Sequence, residues 1–270
     1  MAAGGEPKKV KSAIPPKTMI AFGLIGGLIG VYAGHFLSDM FGPVLSFFGA
    51  LGAICAIVWG ADTVRRVCSY GIGTGVPSIG MLAIGIGIVA ALFGLAVGGI
   101  AGPIIAVIVA TILGLIIGLL GNRLMKMGVP IMETATAEIA AAGTITIIGI
   151  STAMAGTFEI TGIIDNVIAN GFIAVVFIVG AIAILHPFNA NLGPDEKQDR
   201  TLSVAFIDGS IAMILAGIVV AGVSLASAVP AILIGLAIWL FAFAKYLGYV
   251  KRDAYKVVGT GLLPTEEELS

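Results

Sequence analysis

The fold is decided by one stretch, residues 128–158, which reads GVPIMETATAEIAAAGTITIIGISTAMAGTF. Two glutamates, Glu133 and Glu138, come early in it, and twenty residues without a charge follow them, from Ile139 to Phe158. A helix needs roughly twenty apolar residues to cross a hydrocarbon core of about 30 Å. An ionisable group in such a helix costs about 2.5 to 3.5 kcal/mol at the helix centre on insertion scales, so these glutamates mark a candidate functional site.

The whole chain has the composition of a membrane protein. Of its 270 residues, 59% are hydrophobic and 11% are charged, whereas soluble domains carry about 25% charged residues. Apolar stretches of about membrane-spanning length recur along it, at residues 18–38, 43–63, 79–98, 102–121, 139–158, 168–186, 202–223 and 228–248. The sequence therefore predicts an all-α, polytopic integral membrane bundle of about eight spans.

The predicted transmembrane domain covers residues 18–248 and is flanked by tails at 1–17 and 249–270. With eight spans, all 14 lysines and arginines fall in the tails, in alternate connections or at the adjoining helix ends, on one side of the membrane. Basic residues accumulate on the cytoplasmic side of membrane proteins, so both termini are predicted to be cytoplasmic. A segment flanked by Gly and Pro can also enter the membrane and return where protein buries it, so six spans plus re-entrant segments is the alternative.

Glycines recur at every fourth position in several spans. Examples are Gly26, Gly30 and Gly34 in the first span and Gly114 with Gly118 in the fourth. Small residues at this spacing let two helix backbones approach closely. The spacing is consistent with packing inside the chain or against another subunit.

Two similar segments on the cytoplasmic side form a weak internal repeat. Gly75-Val76-Pro77 and Gly128-Val129-Pro130 each follow basic residues and precede a new apolar run. Gly/Pro-interrupted segments at matching places in a repeat point to a transport site, which makes these two segments candidate gate or docking hairpins. The alternative is a proline in the first turn of an ordinary helix, where its missing N–H costs nothing.

The sequence lacks the common motifs of soluble catalytic and cofactor sites. It has no Walker Gly-Lys-Ser/Thr, no Rossmann glycine spacing, no His-Glu-x-x-His and no Cys-x-x-Cys. We therefore predict that this chain has no catalytic residue, no resident metal and no nucleic-acid partner of its own.

Oxygen-bearing side chains at the start of the fifth span are the first candidates for an ion path. Helical spacing from Pro130 places Glu133, Thr136, Thr144 and Ser151 near one face and Glu138 on another. Carboxylate and hydroxyl oxygens suit a hard cation such as sodium. The alternative is that both glutamates lie at the membrane surface, where acidic residues favour a helix N-terminus.

Asp208 is the second candidate, because it is the acid placed most clearly inside a span. It is about 10 Å from the predicted start of its helix at Leu202. It is either an ion ligand or a buried group paired with Ser210 or with an arginine from another helix. His186-Pro187 is expected to cap a helix at the inner surface.

Four stretches of the chain are similar to a known family. Phe47 to Asp62, Arg65-Arg66, Tyr70 to Gly80, and Gly128 to Glu138 resemble the C-type subunit of tetrahydromethanopterin S-methyltransferase, the sodium-pumping complex of methanogenic archaea. The resemblance covers essentially the whole chain, including its charged C-terminal tail.

This resemblance implies a non-catalytic, multi-pass subunit in an archaeal cell membrane. The family's complex moves a methyl group from methyl-tetrahydromethanopterin, or its sarcinapterin variant, to coenzyme M through a corrinoid carried on a partner subunit. That step, part of methanogenesis, is coupled to sodium export. The implied partners are sister membrane subunits of the D and E type, corrinoid-bearing and pterin-binding subunits, and membrane lipids. A stand-alone secondary transporter and a purely structural scaffold are the alternative functions.

Overall fold

A computed structural model describes residues 12–68, 70, 75–191 and 197–253, with side chains omitted at 75–79, 191 and 253. None of these residues is in a strand. Short 3₁₀ turns lie at Pro43–Leu45 and Gly99–Ala101, and π-helical turns at Leu120–Leu124 and Ile164–Ile168. The described residues form nine α-helices: α1 Pro16–Phe41, α2 Phe47–Cys68, α3 Gly75–Gly98, α4 Gly102–Leu119, α5 Met132–Ala155, α6 Ile160–Ile163, α7 Ile173–Asn191, α8 Gln198–Val220 and α9 Leu225–Asp253.

Eight of these helices are long, and they correspond one to one with the eight predicted stretches. Within the described residues, seven apolar segments have the length and composition to cross a membrane, and one of them, Gly80–Leu124, is 45 residues long. That segment is about twice the length that a bilayer requires. It turns back at Gly99, whose φ is +49°, and α3 then packs along α4. The structure thus agrees with the prediction of about eight spans.

Helix α5, which carries Glu133 and Glu138, is the centre of the bundle. It contacts α1, α2, α3, α4, α7 and α8, and 94% of its most apolar segment is buried. Seven alanines, five threonines and two glycines make up more than half of its 24 residues, and five isoleucines are the main bulky side chains. Small side chains on every face allow neighbouring helices to pack on all sides of it.

Glycines on the surrounding helices make this close packing possible. A methyl group added at Gly114 of α4 would lie 2.7 Å from Cα of Ala137, and one at Gly87 of α3 would lie 2.6 Å from the carbonyl oxygen of Ala140. On α2, the corresponding distance from Gly49 to the carbonyl oxygen of Gly149 is 2.6 Å. In α1, Gly30 faces Gly52 of α2 and Gly27 faces Ile145 of α5. The glycine repeats therefore serve packing inside the chain.

Two helix ends near the candidate residues differ from the sequence predictions. Helix α7 continues through Pro187 to Asn191, so the prediction of a cap at His186-Pro187 is wrong. Helix α8 begins at Gln198, which places Asp208 about 15 Å from its start and not about 10 Å. Hydropathy misplaces these two cytoplasmic ends because their turns are polar. Helix α5 begins at Met132, close to the start after Pro130 that the helical spacing assumed, so both glutamates lie inside it.

Candidate functional site

A network of charged side chains lies where the cytoplasmic ends of α2 and α5 meet. Asp62 has no exposed surface, and it binds Nη2 of Arg65 at 2.8 Å and Nε of Arg66 at 3.3 Å. Arg66 also forms an ion pair with Glu138 of α5. Two cations thus balance two anions. This balance satisfies the requirement that buried charges be paired.

Glu138 is held by two further contacts from α2, in addition to its ion pair with Arg66. Its Oε2 accepts hydrogen bonds from Nε1 of Trp59 at 3.1 Å and from Oγ1 of Thr63 at 2.8 Å. Arg66 completes the set, and it also donates to Oγ1 of Thr63 at 2.8 Å. The Glu138 carboxylate, which was predicted as an ion ligand, therefore holds α5 against α2.

The same network fixes the segment that precedes α1. Gln198 at the start of α8 donates to Oδ1 of Asp62 at 3.0 Å and to the carbonyl oxygen of Ile14 at 3.1 Å. The backbone N–H of Ile14 returns a hydrogen bond of 2.7 Å to Oε1 of Gln198. Ser12 accepts from Arg65 at 2.7 Å. One buried carboxylate thus connects the cytoplasmic ends of α1, α2 and α8.

Glu133 lies on a different side of α5, against α4 and the turn between them. Nδ2 of Asn122 donates to Oε1 of Glu133 and to the carbonyl oxygen of Val129, both at 3.0 Å. Oδ1 of Asn122 accepts from the N–H of Val129 at 2.8 Å. The Asn122 side chain therefore fixes both the Gly-Val-Pro segment, residues 128–130, and Glu133.

The turn that holds Val129 is strained. Lys126, Gly128 and Ile131 have φ values of +52°, +64° and +59°. A positive φ is rare for residues other than glycine and is an outlier for a β-branched residue such as Ile131. The turn persists because Asn122 and the start of α5 hold it in place.

The two predicted hairpins differ in structure. Gly75, Val76 and Pro77 form the first turn of α3, whereas Gly128, Val129 and Pro130 lie in the turn before α5. Pro77 thus occupies the position that the simple helix-start alternative describes. The side chains of residues 75–79 lie outside the described atoms, and so do residues 71–74.

The hydroxyl groups of the predicted stripe are buried, and two of them bond to backbone carbonyls. Oγ1 of Thr136 donates to the carbonyl oxygen of Met132 at 2.7 Å. Oγ1 of Thr144 lies 2.9 Å from the carbonyl oxygen of Ala140 and 3.0 Å from that of Gly87 on α3. Ser151 is 2% exposed. The structure therefore places these three residues inside the packed core and Glu133 at its edge.

Asp208 on α8 faces α7. Its Oδ2 lies 2.8 Å from Nδ1 of His186, and the side chains are 10% and 50% exposed, respectively. Ser210 donates instead to the carbonyl oxygen of Ile207 at 2.7 Å. The predicted partners, serine or arginine, are thus wrong, and a histidine takes their place.

The described residues contain no group of three or more histidine, cysteine, aspartate or glutamate side chains that could hold a metal ion. Sequence reasoning missed two residues that organise these polar groups, Asn122 and Gln198, and it assigned a third, His186, to a helix cap instead of to Asp208. Each of the three is a polar residue at or near the end of an apolar stretch. Polar side chains at such positions usually bond to another protein group, and this was the sequence signal that could have identified them.

Comparison with known proteins assigns the chain to a family. A family model for the C-type subunit of tetrahydromethanopterin S-methyltransferase matches residues 1–267. The chain is 59% identical to the C-type subunit of this methyltransferase from Methanosarcina mazei, over the full length of both proteins. It is 43% identical to the C-type subunit from Methanothermobacter thermautotrophicus, over 99% of both. The chain belongs to the C-type subunit family of tetrahydromethanopterin S-methyltransferase and is a multi-pass membrane subunit of that methyltransferase complex.

Proposed function

We propose that this chain forms part of the wall of a sodium path in the complex, at a face that lies against a sister membrane subunit. The D-type and E-type membrane subunits are its proposed neighbours. Methyl transfer to coenzyme M takes place on the corrinoid-bearing and pterin-binding subunits, and this chain holds no cofactor of its own. The observation that carries the proposal is the pair formed by Asp208 and His186.

The geometry of this pair suits a site at a subunit interface. Half of the His186 side chain is exposed, and Asp208 lies behind it with 10% exposure. A polar ring on the lipid-facing side of a span is costly, and such residues usually face other protein or water. A sister subunit that covers His186 would therefore enclose the Asp208 carboxylate between two chains.

Asp208 differs from the other candidate acids in the charge of its partner. Glu138 pairs with Arg66, so a cation would have to displace an arginine in order to bind there. Asp208 pairs with a histidine, and a neutral imidazole that donates a hydrogen bond leaves the carboxylate charge available to a cation. Glu133 accepts hydrogen bonds from the neutral amide of Asn122 and from its own backbone N–H, with Arg123 nearby, and is our second candidate, at the cytoplasmic mouth.

A purely structural scaffold is the second candidate function. The observation in its favour is the state of α5, where Thr136 and Thr144 donate to backbone carbonyls and 94% of the apolar segment is buried. A helix packed in this way leaves its hydroxyl oxygens little freedom to coordinate a hydrated ion. Under this alternative, sodium passes only through sister subunits.

Sodium-dependent methyl transfer distinguishes the two functions. The assembled complex is reconstituted into vesicles with Asp208→Asn in this chain, and the sodium concentration for half-maximal methyl transfer is measured together with sodium uptake. Loss of one charged ligand is expected to raise that concentration by about tenfold, which corresponds to about 1.4 kcal/mol. Glu133→Gln is expected to have a smaller effect in the same direction.

Asp165→Asn is the matched control, because Asp165 is an exposed acid near the outer ends of the helices. It should leave the sodium dependence unchanged. If Asp208→Asn assembles normally and retains wild-type sodium affinity and uptake, the path does not involve this acid and the scaffold function is favoured.

A further inference from the structure

A cavity of about 680 Å³ opens in the cytoplasmic half of the bundle, away from the Asp208 pair. Leu51 and Cys55 of α2, Phe206 of α8 and Phe241 of α9 line it, and Ile14 and Lys245 line its cytoplasmic end, which we call the rim. Its volume falls in the range of about 300 to 1,000 Å³ that is typical of ligand sites. Neither the methyl-transfer function nor the proposed sodium path uses this cavity.

The cavity has the dimensions of one lipid chain in one leaflet. Its lining on α9 runs from Ala237 to Lys245, a rise of about 12 Å at 1.5 Å per residue. Half of a typical hydrocarbon core is about 15 Å thick. At the outer ends of the helices the Pro43–Leu45 turn packs against α9, so the bundle is closed beyond the cavity.

Polar groups gather only at the cytoplasmic end of the lining. Lys245, Gln198, Asp199 and Ser203 lie there, and the remaining lining residues are apolar apart from the free thiol of Cys55. Asp199 accepts a hydrogen bond from the N–H of Arg200 at 3.0 Å and thereby contributes to the start of its own helix.

The charge around this end is predominantly positive. Lys245 is exposed at the rim, Lys197 precedes Gln198, and Lys17 lies at the start of α1. Clusters of basic residues at the cytoplasmic surface attract anionic lipids, by about 1 kcal/mol for each lysine or arginine.

We propose that this cavity binds one hydrocarbon chain of an anionic phospholipid from the cytoplasmic leaflet, with the headgroup phosphate at Lys245. A small soluble anion would leave the apolar walls in contact with water, whereas a lipid chain fills them. The hydrogen bonds between Ile14 and Gln198 hold the rim in place, because Gln198 both lines the cavity and bonds to the buried Asp62. The inference does not depend on the sodium path.

The test uses the intact complex, stripped of lipid in detergent and then exposed to diphytanyl phosphatidylglycerol, which has the ether-linked isoprenoid chains of archaeal lipids. Native mass spectrometry counts the lipid molecules that remain bound for each copy of this chain. Diphytanylglycerol, which has the same chains without a phosphate, serves as the neutral comparison. We expect one tightly bound phosphatidylglycerol and at least fivefold weaker retention of diphytanylglycerol, a factor that matches one lysine contact.

Two pairs of variants locate the site on α9. Ala237→Trp places an indole in the cavity, and its control Leu240→Trp places the same group on an exposed position that does not line it. Lys245→Gln removes the rim charge, and its control Lys251→Gln removes an exposed charge one and a half turns further on. We expect Ala237→Trp to abolish retention, Lys245→Gln to reduce it about fivefold, and both controls to retain the lipid.

Other outcomes overturn the proposal. If the wild-type complex retains no lipid at this position and Ala237→Trp prevents assembly, a segment of a sister subunit fills the cavity. If all four variants lose lipid equally, or if the neutral lipid is retained as strongly as phosphatidylglycerol, there is no phosphate-selective site at Lys245.

Discussion

Helices α5 and α9 are both apolar enough to span a membrane, yet they occupy opposite places in the molecule. The most apolar segment of α5 has a mean hydropathy of 1.5 and is 94% buried, whereas that of α9 has 2.3 and is 28% buried. The less hydrophobic helix is thus in the core. Lipid tails are as apolar as leucine, so hydrophobicity does not select the interior of a membrane protein.

Side-chain size and polar pairing account for the difference. Small residues, chiefly alanine and threonine, make up more than half of α5, and its acids bond to α2 and to Asn122 in the turn after α4. Helix α9 carries Leu233, Leu240 and Phe241 with more than half of each side chain exposed. Close backbone approach and satisfied polar groups hold the centre together, while bulky side chains face lipid or neighbouring subunits. The following predictions test this contrast.

The largest effect is expected from breaking the ion pair between α2 and α5. Arg66→Gln leaves Glu138 without its cation. Removal of one partner from a buried pair costs about 3 to 5 kcal/mol, and the lower end applies because these side chains are 13% and 15% exposed. The free energy of unfolding of the purified subunit in mixed micelles measures the loss.

Lys251→Gln on α9 is the control and should change little, since it removes an exposed charge. The double variant Arg66→Gln with Glu138→Gln should recover part of the lost stability, because no unpaired charge is left. If the double variant loses as much free energy of unfolding as the two single variants together, the pair has no coupling energy. The ion pair then does not hold α5 against α2.

The next effect comes from the contact between backbones of α2 and α5. A methyl group at Gly149 would lie 2.6 Å from the carbonyl oxygen of Gly49 and 3.0 Å from the N of Ala53, and backbone atoms cannot rotate away. Gly149→Ala should therefore destabilise the fold by about 1 to 3 kcal/mol. The same measurement in micelles applies.

Gly248→Ala on α9 is the matched substitution, because nothing lies within 4 Å of its added methyl group. It should be neutral or stabilise slightly through helix propensity. Equal losses for the two glycine variants would show that packing does not distinguish the two helices.

The sequence predicted the helices themselves better than the contacts between them. Eight spans follow from local hydropathy alone, and the structure agrees with that number. The partner of Glu138 was not predictable in the same way, since Arg66 is 72 residues away and Trp59 is 79 away. Hydropathy also ended α7 before Pro187, although the helix continues through it.

The predicted stripe on α5 shows the same limit. Helical spacing placed Thr136, Thr144 and Ser151 near one face, and the structure buries all three. Spacing does not reveal that Thr144 also meets the Gly87 carbonyl of α3. The identity of the facing helix decides whether a hydroxyl is available to an ion, and that identity is a property of the whole fold.

A smaller, local effect is expected at the strained turn before α5. Asn122→Ala removes the three hydrogen bonds that hold Val129 and Glu133. Loss of such contacts costs about 1 to 3 kcal/mol, and residues 126–131 should then open. Hydrogen exchange of this segment should rise while that of α2 stays unchanged. Asn166→Ala, which removes one exposed hydrogen bond near the outer surface, should leave residues 126–131 protected.

The smallest effect is expected on the exposed side of α9. Leu240 is 60% exposed, so Leu240→Ala exchanges contacts with lipid or detergent for similar contacts and should change the stability of the isolated subunit by less than about 0.5 kcal/mol. The stability of the assembled complex gives the second half of the test. An unchanged complex assigns this face of α9 to lipid, while weaker association, with the isolated subunit unaffected, assigns it to a sister subunit. A large loss in the isolated subunit would instead contradict the contrast between the two helices, because a truncated exposed leucine would then matter as much as the packed core.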